Sequence, residues 1–393
     1  MELRSSGRTG NHRDMSDAIT PFTLSIPQAA LDDLATRLAL TRWPEKEPVG
    51  DWSQGVPLTA LQDFVGYWRD GYDWRRCEAR LNALGQFSTQ IDGLSIHFLH
   101  IRSPHPNAMP LLLTHGWPGS VIEFMGVIGP LSDPVAHGGR AEDAFDLVIP
   151  SLPGYGFSGK PEATGWGVER IARAWAVLMG RLGYSEWVAQ GGDWGSVVTT
   201  SIGVQAPPGC KGIHINMPIA RPTPEDMAAP APDEQRALAA MKHYQDWDSG
   251  YSTQQRTRPQ TIGYSLVDSP VGLAAWIYEK MWAWTDNAGA PEHALSRDAM
   301  LDNIMLYWLP ATGASAARLY WESFGSFTPQ RIGIPVGVSN FPKEILPAPR
   351  KWAERNYAQL IHWGELDRGG HFAAWEQPEA FVSELRTCFA KLR

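Results

Sequence analysis

The sequence predicts an α/β fold: a doubly wound, mostly parallel sheet with helices packed on both faces. Three observations predict it. Between Leu111 and Ile215, segments of strand character alternate with helix-period segments at the spacing of βαβ units. One strand, Leu111-Leu112-Leu113-Thr114, is almost wholly apolar, as a strand covered on both faces must be. A second short apolar strand, Trp187-Val188-Ala189, runs into Gly191-Gly192-Asp193-Trp194-Gly195 and then a helix, a sharp strand-to-helix turn with an acidic residue at its centre. With 393 residues, 43% hydrophobic and 19% charged, the chain can bury one large core with insertions, or two domains.

Taken in order, residues 1–15 are polar and are expected to form a disordered tail, with Met15 an alternative start. Residues 16–86 read as an N-terminal helical lead-in. Its first helix, Pro27–Leu40, carries Ala30, Leu31, Leu34 and Leu38 on one face and is broken by Arg42-Trp43-Pro44. Leu58–Tyr72 and Trp74–Leu84 follow, and none of the three holds acid–base chemistry, so they are read as a buttress. The first part of the core, 87–217, opens with strands Phe87–Gln90 and Leu94–Arg102, joined by the hairpin signal Asp92-Gly93. Strand Leu111–Thr114, helix Val121–Leu131, strand Phe145–Ile149 and the loop Pro150–Pro161 come next. Helix Val168–Leu182, the elbow strand with its helix to Ala206, and strand Gly212–Ile215 complete this part. Residues 218–330 then lose the strand period. They begin rich in Pro and Ala and continue helical and rich in Trp, which predicts a helical cap inserted after the sixth strand. The core resumes over 331–393 with Ile334–Val338, Gln359–Trp363 and a closing helix, Glu376–Leu392.

Composition excludes several classes of partner. A formal charge of −8 argues against nucleic acid and anionic membrane. No run approaches the ~20 apolar residues of a membrane span, and the start lacks a secretory signal. Cys77, Cys210 and Cys388 have neither metal-site nor disulfide spacing, which fits a reducing cytoplasm. Gly154-Tyr155-Gly156-Phe157-Ser158-Gly159 matches the dinucleotide fingerprint, but Lys160-Pro161 follows where a helix should open, so it reads as a connecting loop. No metal and no organic cofactor are therefore expected, and the oligomeric state is left open, a homodimer included. Eighteen tryptophans suggest an interior space lined by aromatic rings.

The Gly-x-Asp-x-Gly turn is the nucleophile elbow of an α/β-hydrolase, with Asp193 where serine is more familiar. Gly191 and Gly195 leave room for the strained central residue. The bland alternative is an aspartate capping the helix that follows. His115-Gly116-Trp117-Pro118, after the buried strand, reads as half of an oxyanion hole. The N–H groups of Trp117 and Trp194 would be its donors, and both residues would also meet substrate. His115 itself reads as structural. Chain order in this fold places the general base last, which selects His371 in Gly369-Gly370-His371; His362 lies within a strand and reads as core. The acid partner is assigned to Glu344, after strand Val336–Ser339, with Asp367 as the alternative; Asn216 is neutral and cannot serve. A carboxylate nucleophile attacks a saturated carbon and leaves an alkyl ester, so His371 would activate water rather than Asp193.

In combination these segments resemble the microsomal-type epoxide hydrolases and their fungal and bacterial relatives. The resemblance runs from about Phe22 to the C-terminus. It is carried by Arg42-Trp43-Pro44, Gln90-Ile91-Asp92-Gly93, His115-Gly116-Trp117-Pro118-Gly119-Ser120, Gly192-Asp193-Trp194-Gly195, Ser269-Pro270-Val271-Gly272-Leu273, Phe341-Pro342-Lys343-Glu344 and Gly369-Gly370-His371-Phe372. It implies hydrolysis of an epoxide by water to a vicinal diol, and the cap over an aromatic cleft suggests a small apolar epoxide, aryl or alkyl. It further implies Asp193 as nucleophile, His371 as base, Glu344 as charge partner, and cap residues Tyr251 and Tyr320 as the groups that polarise the epoxide oxygen. The membrane anchor of microsomal members is missing at the front, which implies a soluble version. Two other readings stay open: a haloalkane or haloacid dehalogenase using the same triad, and a non-catalytic ligand-binding member of the fold.

Overall fold

Strands that are apolar on both faces fold into the middle of a single sheet, and those that alternate go to its rim. In a computed structural model, which describes residues 17–393, nine strands make that sheet. They are β1 Thr20–Pro21, β2 Gln86–Ile91, β3 Leu94–Ile101, β4 Met109–Thr114, β5 Phe145–Pro150, β6 Trp187–Gly191, β7 Cys210–Ile215, β8 Ile332–Asn340 and β9 Tyr357–Glu365. Their spatial order is β1-β2-β3-β5-β4-β6-β7-β8-β9. The pairs from β5 through β9 are parallel, while β1, β2 and β3 form an antiparallel ribbon on the β5 side. Order reverses at β4, whose chain continues to β5 on one side while β6 pairs on the other. In such sheets a ligand binds outside the strand ends at this switch point. The register sets Thr114 opposite Gly191, so the turns beginning at His115 and Gly192 start side by side.

Between β7 and β8 the described chain is helical. Its main elements are Pro232–His243, Gly250–Thr257, Pro259–Asp268, Pro270–Trp284, Arg297–Trp308 and Gly313–Ser323. The lead-in helices Gln28–Ala39, Leu58–Asp70 and Trp74–Asn82 grip this cap as much as they buttress the sheet. Tyr67 and Tyr72 donate hydroxyls to Asp298 and Asp302 at 2.7 and 2.8 Å, and Trp52 stacks on Trp282 with centroids 4.8 Å apart. The glycine-rich loop after β5 anchors the cap too: Ser315 donates to the Gly154 carbonyl at 2.6 Å, and Tyr155 to that of Ala316 at 3.1 Å.

Two local expectations change. The two-residue strand β1 was not foreseen, because Thr20–Pro21 is too short to show alternation, and it makes the strand before the cap the seventh. The helix expected over Val121–Leu131 is a 3-10 turn, Val121–Phe124, followed by a short helix, Ile128–Ser132. Gly126, Gly129 and Pro130 explain the break, since proline lacks an N–H and fits only a first turn. Among the described residues no helix is long and apolar enough to cross a membrane. The tail expected over 1–15 lies outside the described residues.

Candidate active site

The elbow is built by crowding. Asp193 has φ +52° and ψ −128°, a conformation that side chains rarely adopt. A Cβ on Gly195 would stand 1.9 Å from the Thr114 carbonyl oxygen, and one on Gly191 would stand 2.0 Å from that of Gly195. Only glycine lets strand, turn and helix Trp194–Gln205 approach this closely. The Asp193 carboxylate does not cap that helix. It turns instead toward the turn after β4 and the loop after β9.

Its two oxygens have different partners. Oδ1 accepts the Trp117 N–H at 2.8 Å, and Oδ2 lies 3.0 Å from His371 Nε2. On the other side of the imidazole, Nδ1 is 2.7 Å from Glu344 Oε1, which also accepts the Ile345 N–H at 2.8 Å. Asp367 is exposed. His362 pairs with Glu384 at 2.7 Å, and Asn216 accepts from Gln190 at 2.6 Å. Buried His115 accepts the Leu152 N–H at 3.2 Å and braces its own turn through the Gly116 carbonyl. The Trp194 amide stands in the first turn of its helix, where N–H groups have no intrahelical acceptor.

The His371 loop is pinned from both sides. The His371 N–H donates to the Trp284 carbonyl at 2.9 Å, and Glu376 takes the amides of Asp286, Gly370 and Phe372. Burial alone would lower the imidazole pKa, but Glu344 and Asp193 on its two nitrogens outweigh burial and raise it well above its ordinary value. Burial is also the main reason why the hydroxyls of Tyr251 and Tyr320 are held well above their ordinary values, protonated and able to donate.

Both tyrosines descend from the cap onto the elbow. Tyr251 stacks on Trp117, centroids 4.8 Å apart and planes within 8°, while Tyr320 meets the Trp117 and Trp194 rings edge-on at 5.9 and 4.8 Å. A groove of about 1290 Å³, lined in part by Trp52, Tyr244, Trp276 and Trp282, reaches Tyr251 and Glu344.

Three neighbours escaped sequence reasoning. Tyr244 lies with its hydroxyl 3.0 Å from that of Tyr251. Trp284 sits edge-on to His371 at 5.0 Å and to Tyr251 at 5.1 Å. Glu123 packs against Gly119 so closely that a Cβ there would fall 1.4 Å from its Oε1; burial, with Asp193 adding to it, pushes its carboxyl up to about 8. The only signal for Glu123 was Ser120-x-x-Glu123, which reads as an ordinary capping box. Among the described residues no cluster of His, Cys, Asp and Glu could hold a metal ion.

Known proteins share this architecture. Residues 19–124 match the family described as Epoxide hydrolase N terminus, and residues 109–257 the one described as alpha/beta hydrolase fold. A Stigmatella aurantiaca protein that carries epoxide hydrolase as a provisional name is 60% identical over 376 residues, 95% of this chain and 86% of its own. Epoxide hydrolase 1 of Sus scrofa is 35% identical over 405 residues, covering 94% and 88% of the two chains. The structure of Aspergillus niger epoxide hydrolase superposes with a TM-score of 0.86 at 34% identity, over 96% of this chain and 97% of that one. Juvenile hormone epoxide hydrolase from the silkworm Bombyx mori gives 0.86 at 29% identity, over 96% and 95%.

Proposed function

This chain belongs to the microsomal-type epoxide hydrolase family, and from that premise we propose how it converts an epoxide and water to a vicinal diol. Asp193 Oδ2 attacks a ring carbon while the carbon–oxygen bond on that carbon breaks. The electron pair moves to the ring oxygen, which Tyr251 and Tyr320 meet with hydrogen bonds and a proton. The product of this step is an ester of Asp193. Water then adds to the Asp193 Cγ, giving a proton to His371 Nε2. The Trp117 and Trp194 amides hold the resulting oxyanion; as it collapses, the ester oxygen takes the proton from His371 and leaves as the diol, and the proton of the restored Asp193 carboxyl returns to the tyrosine that gave one up.

The observation that carries this reading is the division of labour on one carboxylate: Oδ1 already sits on the Trp117 amide, and Oδ2 faces the imidazole. Electrostatics supply the timing. While Asp193 is ionised, it and Glu344 favour the imidazolium, which cannot act as a base. Esterification removes one of those two charges. The imidazole pKa then falls, and His371 becomes a base only after there is an ester to hydrolyse. Loss of one oxyanion donor in such a step costs ~3 kcal/mol of transition-state stabilisation. The aromatic groove favours apolar aryl or alkyl epoxides as substrates.

A single turnover with a simple aryl epoxide in oxygen-18 water tests the covalent route. The label is expected in the Asp193 carboxylate, with the first diol unlabelled. Label in the diol on the first turnover would falsify the ester intermediate. The same enzyme offered a haloalkane is expected to release no halide.

A further inference from the structure

The strongest unexplained cluster of charge lies in the cap, on helix Pro270–Trp284. Lys280 has a side chain only 7% exposed, and its Nζ forms ion pairs with Asp248 Oδ1 at 2.6 Å and Glu279 Oε2 at 2.8 Å. Its Nζ also stands 4.9 Å from the centroid of the Tyr251 ring and 5.5 Å from that of Trp284. The second oxygen of Asp248 accepts the Trp284 indole N–H at 2.5 Å, which fixes this carboxylate on the edge of Trp284. A surface position would have served a merely solubilising lysine; this one is buried and set over an aromatic ring.

A cation over a ring is attracted to the ring's electron-rich face, and the attraction grows as the ring gains negative charge. A phenol that shares its proton with a departing oxygen gains that charge. We propose that Lys280 is a tuning residue for ring opening: its charge over Tyr251 makes the Tyr251 hydroxyl a better donor to the epoxide oxygen. The inference rests on the reading of Tyr251 as such a donor. In the step, the bond from Asp193 Oδ2 to carbon forms, the ring carbon–oxygen bond breaks, and the proton moves from the Tyr251 hydroxyl to the ring oxygen, leaving the Tyr251 phenolate beneath Lys280. Lys280 lines the groove beside Tyr251, keeps all its bonds and gives up no proton. Asp248 and Glu279 hold it in place, and the pair Asp248–Trp284 ties the same cluster to the His371 loop.

The test is pre-steady-state kinetics with a simple aryl epoxide, resolving ester formation from ester hydrolysis by intrinsic tryptophan fluorescence. It compares wild type, K280Q, K280M and K280R, and repeats K280Q in a Y251F background. K280Q and K280M are expected to slow ester formation about tenfold and to leave hydrolysis within about twofold, with K280R restoring formation to within about threefold. In Y251F, K280Q is expected to add less than about a twofold loss, because the charge acts through that ring. Should K280M fail to fold, K280Q decides the matter alone, since glutamine keeps a hydrogen-bond donor for Asp248. Wild-type ester formation in K280Q, equal slowing of both steps, or an undiminished effect in Y251F overturns the proposal. Its failure is separable from that of the covalent route. If oxygen-18 enters Asp193 and K280Q changes nothing, only the role of Lys280 falls; if no label enters Asp193, the covalent reading falls with it.

Discussion

Two carboxyl groups near the elbow illustrate how much a residue's neighbours decide. Glu344 and Asp367 were both candidates for the partner of His371; the place of Glu344 after a strand, the nearness of Asp367 to His371 in sequence and the family resemblance favoured Glu344. Glu344 lies 2.7 Å from the imidazole, and Asp367 lies in solvent. Asp193, His371 and Glu344 were legible because turn chemistry and chain order restrict where such residues can stand. Glu123 was illegible because its only pattern was that of a helix start. Its burial has a consequence for stability. The native state holds the Glu123 proton up to about pH 8, whereas an ordinary glutamate gives it up near 4.5. A raised carboxyl therefore contributes most at low pH, and stability is lost as pH climbs between those two values. Glu123→Gln removes this titration. Its melting temperature relative to wild type is expected to rise as the pH goes from 4.5 to 8 and then to level off, which thermal melts across that range will check. A constant difference would mean that Glu123 ionises freely.

At the scale of elements, the sheet was readable and the connections were not. Strands β4, β5 and β6 announce themselves by short apolar runs, and the register of β4 with β6 brings the turns that follow them together without further information. The segment after the first turn misled, because a helix-period pattern across Val121–Leu131 outweighed the two glycines and the proline inside it. What holds that turn comes from a distant helix, which no local pattern could reveal. Asn303, on helix Arg297–Trp308, donates to the Pro118 carbonyl and accepts from Ser120, both at 2.7 Å, and Tyr307 donates to the Gly119 carbonyl at 2.6 Å. The cap thus sets the position of the Trp117 amide. Asn303→Ala leaves buried polar atoms unpaired and is expected to cost about 1–3 kcal/mol in urea unfolding. It should also slow turnover while leaving substrate affinity nearly unchanged, since the altered contact concerns an amide rather than the groove. Unchanged stability would show that water replaces the lost bonds.

Over the whole molecule, lead-in, cap and core are interlocked. The lead-in packs on the cap, through Tyr67 and Tyr72 and through the stack of Trp52, from a connecting loop, on Trp282. Composition hinted at this only through the abundance of tryptophan, because contacts between segments far apart in the chain leave no periodic trace. Trp52→Ala is expected to destabilise the protein by about 1 kcal/mol and to raise KM for bulky aryl epoxides more than it lowers kcat. Urea titration and steady-state kinetics read both effects, and a fall in kcat alone would place Trp52 nearer the chemistry than the groove suggests. The two hydroxyls that we propose as donors ride on the cap, and the carboxylate they serve is fixed to the sheet. Were the halves to part, acid and attacking oxygen would leave each other's company. Reactivity in this reading is therefore a property of the joined molecule, and neither half carries it alone.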